Sequence, residues 1–138
     1  MGQISSKLRN WVSSDGAQEG VLYWCQGCKS AHSIIVKGPG AWGWNGDAEK
    51  PVFTPSVLSK GHDLTSAGRA AWEQWHAEGC PSPTPAFERA PICCHTFVGC
   101  NGAQPGEVIF LGDCTHDLAG TVQPFADLPE WMLDKDGP

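Results

Sequence analysis

The sequence predicts an α+β fold, mostly β: small zinc-stabilised sheets and hairpins, one main helix over about residues 66–78, and long Gly/Pro loops. Three observations carry this. Seventeen glycines and eleven prolines in 138 residues divide the chain into short elements. Short β-branched and aromatic runs recur between turn residues, as at Val21-Leu22-Tyr23-Trp24 and Ser33-Ile34-Ile35-Val36. Seven cysteines and five histidines gather in groups with the spacing of metal ligands.

In chain order, residues 1–20 are polar and suit an arm or a first short strand. The strand at Val21–Trp24 runs into a tight turn, Cys25 to Cys28, and Ser33–Val36 returns antiparallel to it. Residues 38–51 form a Gly/Trp/Pro loop, and a strand from Val52 to Leu58 is interrupted by Pro55. Thr65 or Ser66 can cap the helix, Trp72 and Trp75 share one of its faces, and Gly79 stands at its C′ position. A Pro-rich connector follows. Strands at Cys94–Val98 and Glu107–Leu111 flank a turn with Asn101-Gly102 and Pro105-Gly106. The Pro-rich tail, about 123–138, is expected to lie across the surface. No repeat or domain-scale linker divides the chain, so residues 1–138 are expected to form a single zinc-binding domain.

Formal charge is −6 and the nine basic residues are scattered, which argues against nucleic acid as a partner. No run of about twenty apolar residues and no basic-then-apolar leader occurs, so the expectation is a soluble protein without a membrane role. In a reducing compartment an odd number of cysteines favours metal ligands or reactive thiols over disulfides.

Three clusters stand out: Cys25-x2-Cys28 with His32 behind it, Cys93-Cys94-His95, and Cys114-Thr115-His116. A C-x2-C turn brings two thiolates to one metal, and a ligand pair at the end of a hairpin can complete the tetrahedron. With the turn centred near residues 102–103, residue 94 faces residue 112, which brings the second and third clusters to one end of one hairpin. The candidate zinc ligands are therefore Cys25 and Cys28, joined by Cys114 and at least one of Cys94, His95 and His116, with His32 either a ligand or a neighbour of the site. Cys80, Cys93 and Cys100 suit small buried apolar roles. Trp42, Trp44 and Asn45 suit either a binding surface or core and turn positions.

Other motif matches carry little. Trp24-Cys25-Gln26-Gly27-Cys28-Lys29 matches a thioredoxin site by letter, but a strand follows it where a helix is needed. Gly38-x-Gly40-x-x-Gly43 lacks the helix of a dinucleotide site, and the myristoylation-like start is too short a pattern to use. G-x-S-x-G and H-E-x-x-H are both missing, so no catalytic residue is assigned. Asp113 to His116 is the one place where a metal or thiol enzyme would centre.

Several stretches resemble a family of small tailed-phage proteins: Gln3 to Leu8, Trp24-Cys-x-x-Cys28 with His32, Trp44-Asn45-Gly46, Pro51-x-Phe53-Thr54-Pro55-Ser56, Cys94-His95-x-Phe97, and Ile109 to Gly120. Labels of ammonia monooxygenase attached to such proteins find no copper or di-iron ligand set here. The resemblance implies Cys25, Cys28, Cys94 and Cys114 as the zinc ligands, with His32, His95 and His116 competing, and a phage product in a virion or a bacterial host cytoplasm. The expected function is thus a non-enzymatic, zinc-stabilised module that binds protein, with other virion subunits as its first expected partners. A host-takeover or anti-defence inhibitor and a metal- or thiol-dependent enzyme are the alternatives.

Overall fold

A computed structural model describes residues 2–138. It contains two antiparallel meanders that share one core. The first sheet has strands β1 (Gly2–Gln3), β2 (Leu8–Val12), β3 (Glu19–Cys25) and β4 (Ser30–Lys37) in that order. The second has β5 (Gly43–Trp44), β6 (Phe53–Leu64), β7 (Arg89–Val98), β8 (Glu107–Phe110) and β9 (Val122–Pro124). The mostly-β prediction with one helix holds.

Period-two alternation selects the core. Val21, Tyr23 and Cys25 on β3 are buried, as are Cys94, Thr96 and Val98 on β7, because alternate side chains on a strand point to one face. Leu8, Ile34 and Phe53 complete the centre of this layer. Phe53 lies in van der Waals range of Tyr23, with ring centroids 5.9 Å apart.

Both ends of the chain are more ordered than their polarity implies. Residues within 1–20 form β1 and β2, and Leu8, paired with Tyr23, is fully buried. The tail turns Phe125, Leu128 and Met132 inward. Arg9 ties it down by donating to the Met132 carbonyl at 2.8 Å and pairing with Asp134. The expected surface tail is thus a strap with an apolar underside.

The helix α1 (Ser66–Ala77) is capped by Thr65, whose hydroxyl accepts from the Gly68 N–H at 3.0 Å. Gly68 sits against the Glu88 carbonyl with no room for a Cβ. The strands on either side of α1 pair over a longer span than their sequence patterns indicate, from Val57 with Thr96 to Leu64 with Arg89. They form a two-stranded ribbon that extends the sheet. Near its base the register slips, because Thr54, Pro55 and Ser56 are accommodated between the pairs Phe53–Val98 and Val57–Thr96, opposite Phe97 alone. Such a bulge re-aims a side chain. The hairpin of β7 and β8 pairs Thr96 with Phe110, and beyond the ladder the Leu111 N–H still donates to the His95 carbonyl at 2.9 Å.

Phe53→Ala is expected to destabilise the protein by about 3–5 kcal/mol, read as a lower midpoint in urea unfolding with an unchanged slope.

Candidate functional site

Two groups of chemically active side chains flank β7. The first lies on its buried face. Cys25 at the end of β3, Cys28 in the turn after it, Cys94 on β7 and His116 in the loop after β8 bring one ligand atom each within 4.8 Å of one another. Cys25 Sγ and Cys94 Sγ are 3.7 Å apart, and His116 Nε2 is 3.4 Å from Cys94 Sγ. The Cys28 N–H donates to Cys25 Sγ at 3.4 Å, the amide-to-sulfur bond that a C-x2-C turn offers. Gly27 is what lets His116 in, because a Cβ there would occupy the place of the imidazole ring.

The electrostatics of this group favour a cation. Hydrogen bonds from Cys28 and Cys94 hold the Cys25 thiol far below its ordinary range. Donation to Cys25 in turn pushes Cys28 up to about 12 and raises Cys94 further. One thiolate forms readily and then opposes the next, and a divalent ion relieves that repulsion. Three thiols and an imidazole, two of them buried and two half-buried, are a soft four-donor set that fits a metal ion. His116 Nε2 is the ring nitrogen turned toward the sulfurs and would be the one to hold a metal, while Nδ1 accepts from the Leu118 N–H at 3.2 Å.

The remaining candidate ligands stand outside this group of four, two of them close beside it. Cys114 is buried, but its sulfur accepts from the His95 N–H and donates to the His95 carbonyl, both at 3.3 Å. It clamps the backbone of β7. His32 packs edge-on against Tyr23 at 5.6 Å and stands close enough to Cys25 to help hold its thiol low. Trp42 and Trp44 pack against the core, and Asn45 organises its own loop, accepting from the Asp47 and Val52 N–H groups and donating to the Lys50 carbonyl.

His95 belongs to the second group, on the other face of β7. Its Nε2 lies 3.0 Å from Ser56 Oγ and its Nδ1 lies 3.1 Å from Asp113 Oδ2. A carboxylate only accepts, so the ring proton belongs on Nδ1, and Nε2 is left to accept from the serine hydroxyl. This is the relation of nucleophile, base and orienting acid in a Ser-His-Asp triad, which is recognised by geometry and not by position in the chain. Each member has its own support. The bulge in β6 presents Ser56, and Trp42 Nε1 donates to the Ser56 carbonyl at 3.1 Å. Cys114 and the Leu111 N–H fix the backbone at His95. The His95 side chain is 25% exposed and that of Asp113 56%, so the triad opens to solvent on its acid side.

Ser56 carried no signal for catalysis in the sequence. The one trace was its place in Phe53-Thr54-Pro55-Ser56, where polar groups stand among aromatic ones.

Comparison with known proteins adds one result. The family model described as bacterial ubiquitination-like system serine protease (BubE) matches residues 3–105, a stretch that holds Ser56 and His95 and stops short of Asp113 and His116. No curated protein and no solved structure matches. The match overturns the expectation of a non-enzymatic virion module, since it names an enzyme of a bacterial system. A serine on a strand bulge carries no local nucleophile motif, which is why the sequence alone points to a binding module.

Gly27→Ala is expected to displace His116 and weaken metal retention. Elemental analysis after dialysis against a mild chelator should find the metal content well below that of the unaltered protein.

Proposed function

The chain belongs to the BubE family, and we propose that it is itself a serine hydrolase that cleaves peptide or isopeptide bonds made or used by a ubiquitination-like system. The observation that carries this reading is the pair of contacts from His95 to Ser56 and Asp113, found in a chain whose family is described as serine proteases.

The chemistry follows from the contacts. Ser56 Oγ attacks the substrate carbonyl carbon while His95 Nε2 takes the hydroxyl proton. The imidazolium that forms is held by the Asp113 carboxylate on Nδ1. His95 then gives the proton to the leaving amine, and the acyl group remains on Ser56. A water molecule, deprotonated by His95, releases the acid and restores the serine. Because Asp113 is half exposed, its charge is partly screened, and its main contribution is the orientation of the ring.

Zinc is the ion we assign to Cys25, Cys28, Cys94 and His116, since three thiolates and one imidazole form a closed tetrahedral set typical of structural zinc. Zinc bound there supplies folding energy, on the order of 10 kcal/mol in zinc-finger peptides. Catalysis is left to the other face of β7. The partner is the protein substrate. Among the described residues no helix is long and apolar enough to cross a membrane.

A fluorophosphonate probe tests the nucleophile: a single adduct should map to the peptide containing Ser56, and Ser56→Ala and His95→Ala should remain unlabelled while keeping their metal. An adduct on another residue, or none, defeats the assignment. Asp113→Asn should slow labelling by about 10²–10⁴-fold, with metal content unchanged.

Replacing Cys28 with Ser should have a different signature. Zinc content falls and the thermal unfolding midpoint drops by several degrees, because one thiolate of the closed set is lost.

A further inference from the structure

Beyond the triad, the ribbon of β6 and β7 runs on without any other strand against it. The register pairs Leu58 with His95, Lys60 with Cys93, His62 with Pro91, and Leu64 with Arg89. Paired residues of an antiparallel ribbon share a face, so these side chains continue the face that carries His95. A cavity of about 570 Å³ opens there, lined among others by Lys60, Gly61, His62, Cys93, Asp113 and Thr115. It therefore begins beside the acid of the triad and leads away along the strands.

Charge on this face is unbalanced. Lys7, Arg9, Lys37 and Arg69 are each paired with a carboxylate. Lys60 and Arg89, both exposed, have no such partner among the described residues, and neither do Lys29, Lys50 and Lys135 outside the ribbon. Asp113, the one carboxylate lining the cavity, is engaged by His95. A chain of net charge −6 thus keeps unneutralised cations along one line that starts at its nucleophile.

We propose that this ribbon face is the subsite that holds an extended, acidic segment of the polypeptide substrate, with Lys60, His62 and Arg89 facing its carboxylates. At about 3.4 Å per residue, Lys60 and His62 stand about four and six residues along an extended chain from Ser56. Leu58, 48% exposed, lies between and offers an apolar contact close to the reacting bond. The assignment rests on Ser56 as the nucleophile for its catalytic meaning, but binding to the face can be read without turnover.

The test uses Ser56→Ala protein and fluorescence anisotropy with two labelled decapeptides of one neutral sequence, carrying either two Asp or two Lys residues, and with a labelled dT10 oligonucleotide. The Asp peptide should bind at least tenfold more tightly than the Lys peptide and than dT10. Adding Lys60→Glu and Arg89→Glu should abolish or reverse that preference. Both changes are at exposed positions, and an unchanged thermal midpoint would show the fold intact. Equal affinities, no binding of either peptide up to millimolar concentration, or tighter binding of dT10 would overturn the proposal. Failure of fluorophosphonate labelling at Ser56 with the Asp preference intact would remove the nucleophile and leave the subsite. Labelling without the preference would do the reverse.

Discussion

Adjacent residues on a β-strand point to opposite faces, and the organisation of this protein depends on that constraint at Cys94 and His95. One faces the buried cluster with Cys25, Cys28 and His116, the other faces Ser56 and Asp113. A one-residue slip of β7 would exchange the two and destroy both sites at once. The register is therefore fixed from several sides. β6 and β8 pair with β7, Cys114 bonds both backbone groups of His95, and Thr115 bonds both backbone groups of Cys93.

The two faces divide the work. A small domain with short strands and many turns gains rigidity when distant segments are tied together, and the cysteine cluster ties β3, β7 and the loop after β8. That loop carries Asp113 three residues before His116, so a ligand that anchors His116 also limits where the acid of the triad can move. Preorganisation of this kind matters because displacement of a catalytic group by about 1 Å can cost on the order of 100-fold in rate. The serine is held by different means: the bulge in β6 and the hydrogen bond from Trp42.

How much of this could be read in the sequence follows the distance over which each feature is encoded. Cys25 and Cys28 announce themselves because a C-x2-C turn is local. The hairpin of Cys94–Val98 with Glu107–Leu111 is legible from its turn residues, and the helix from its cap. The choice between Cys114 and His116 was not, since both follow β8 in a turn where strand alternation no longer assigns a face. Nor was the triad. Its members come from β6, β7 and the following loop in the order Ser, His, Asp, and the serine sits on a strand bulge with no glycine elbow around it. Only the fold brings them together, so no local motif marks them and the sequence alone favours a binding module.

If a metal held by Cys25, Cys28, Cys94 and His116 keeps His95 in register with Ser56, the two faces of β7 are coupled. The rate of fluorophosphonate acylation of Ser56, followed by intact-protein mass as zinc is withdrawn by a chelator and then restored, tests it most directly. The account predicts a rate that falls with zinc occupancy and recovers when zinc is returned. A rate that stays constant in protein stripped of zinc would contradict it.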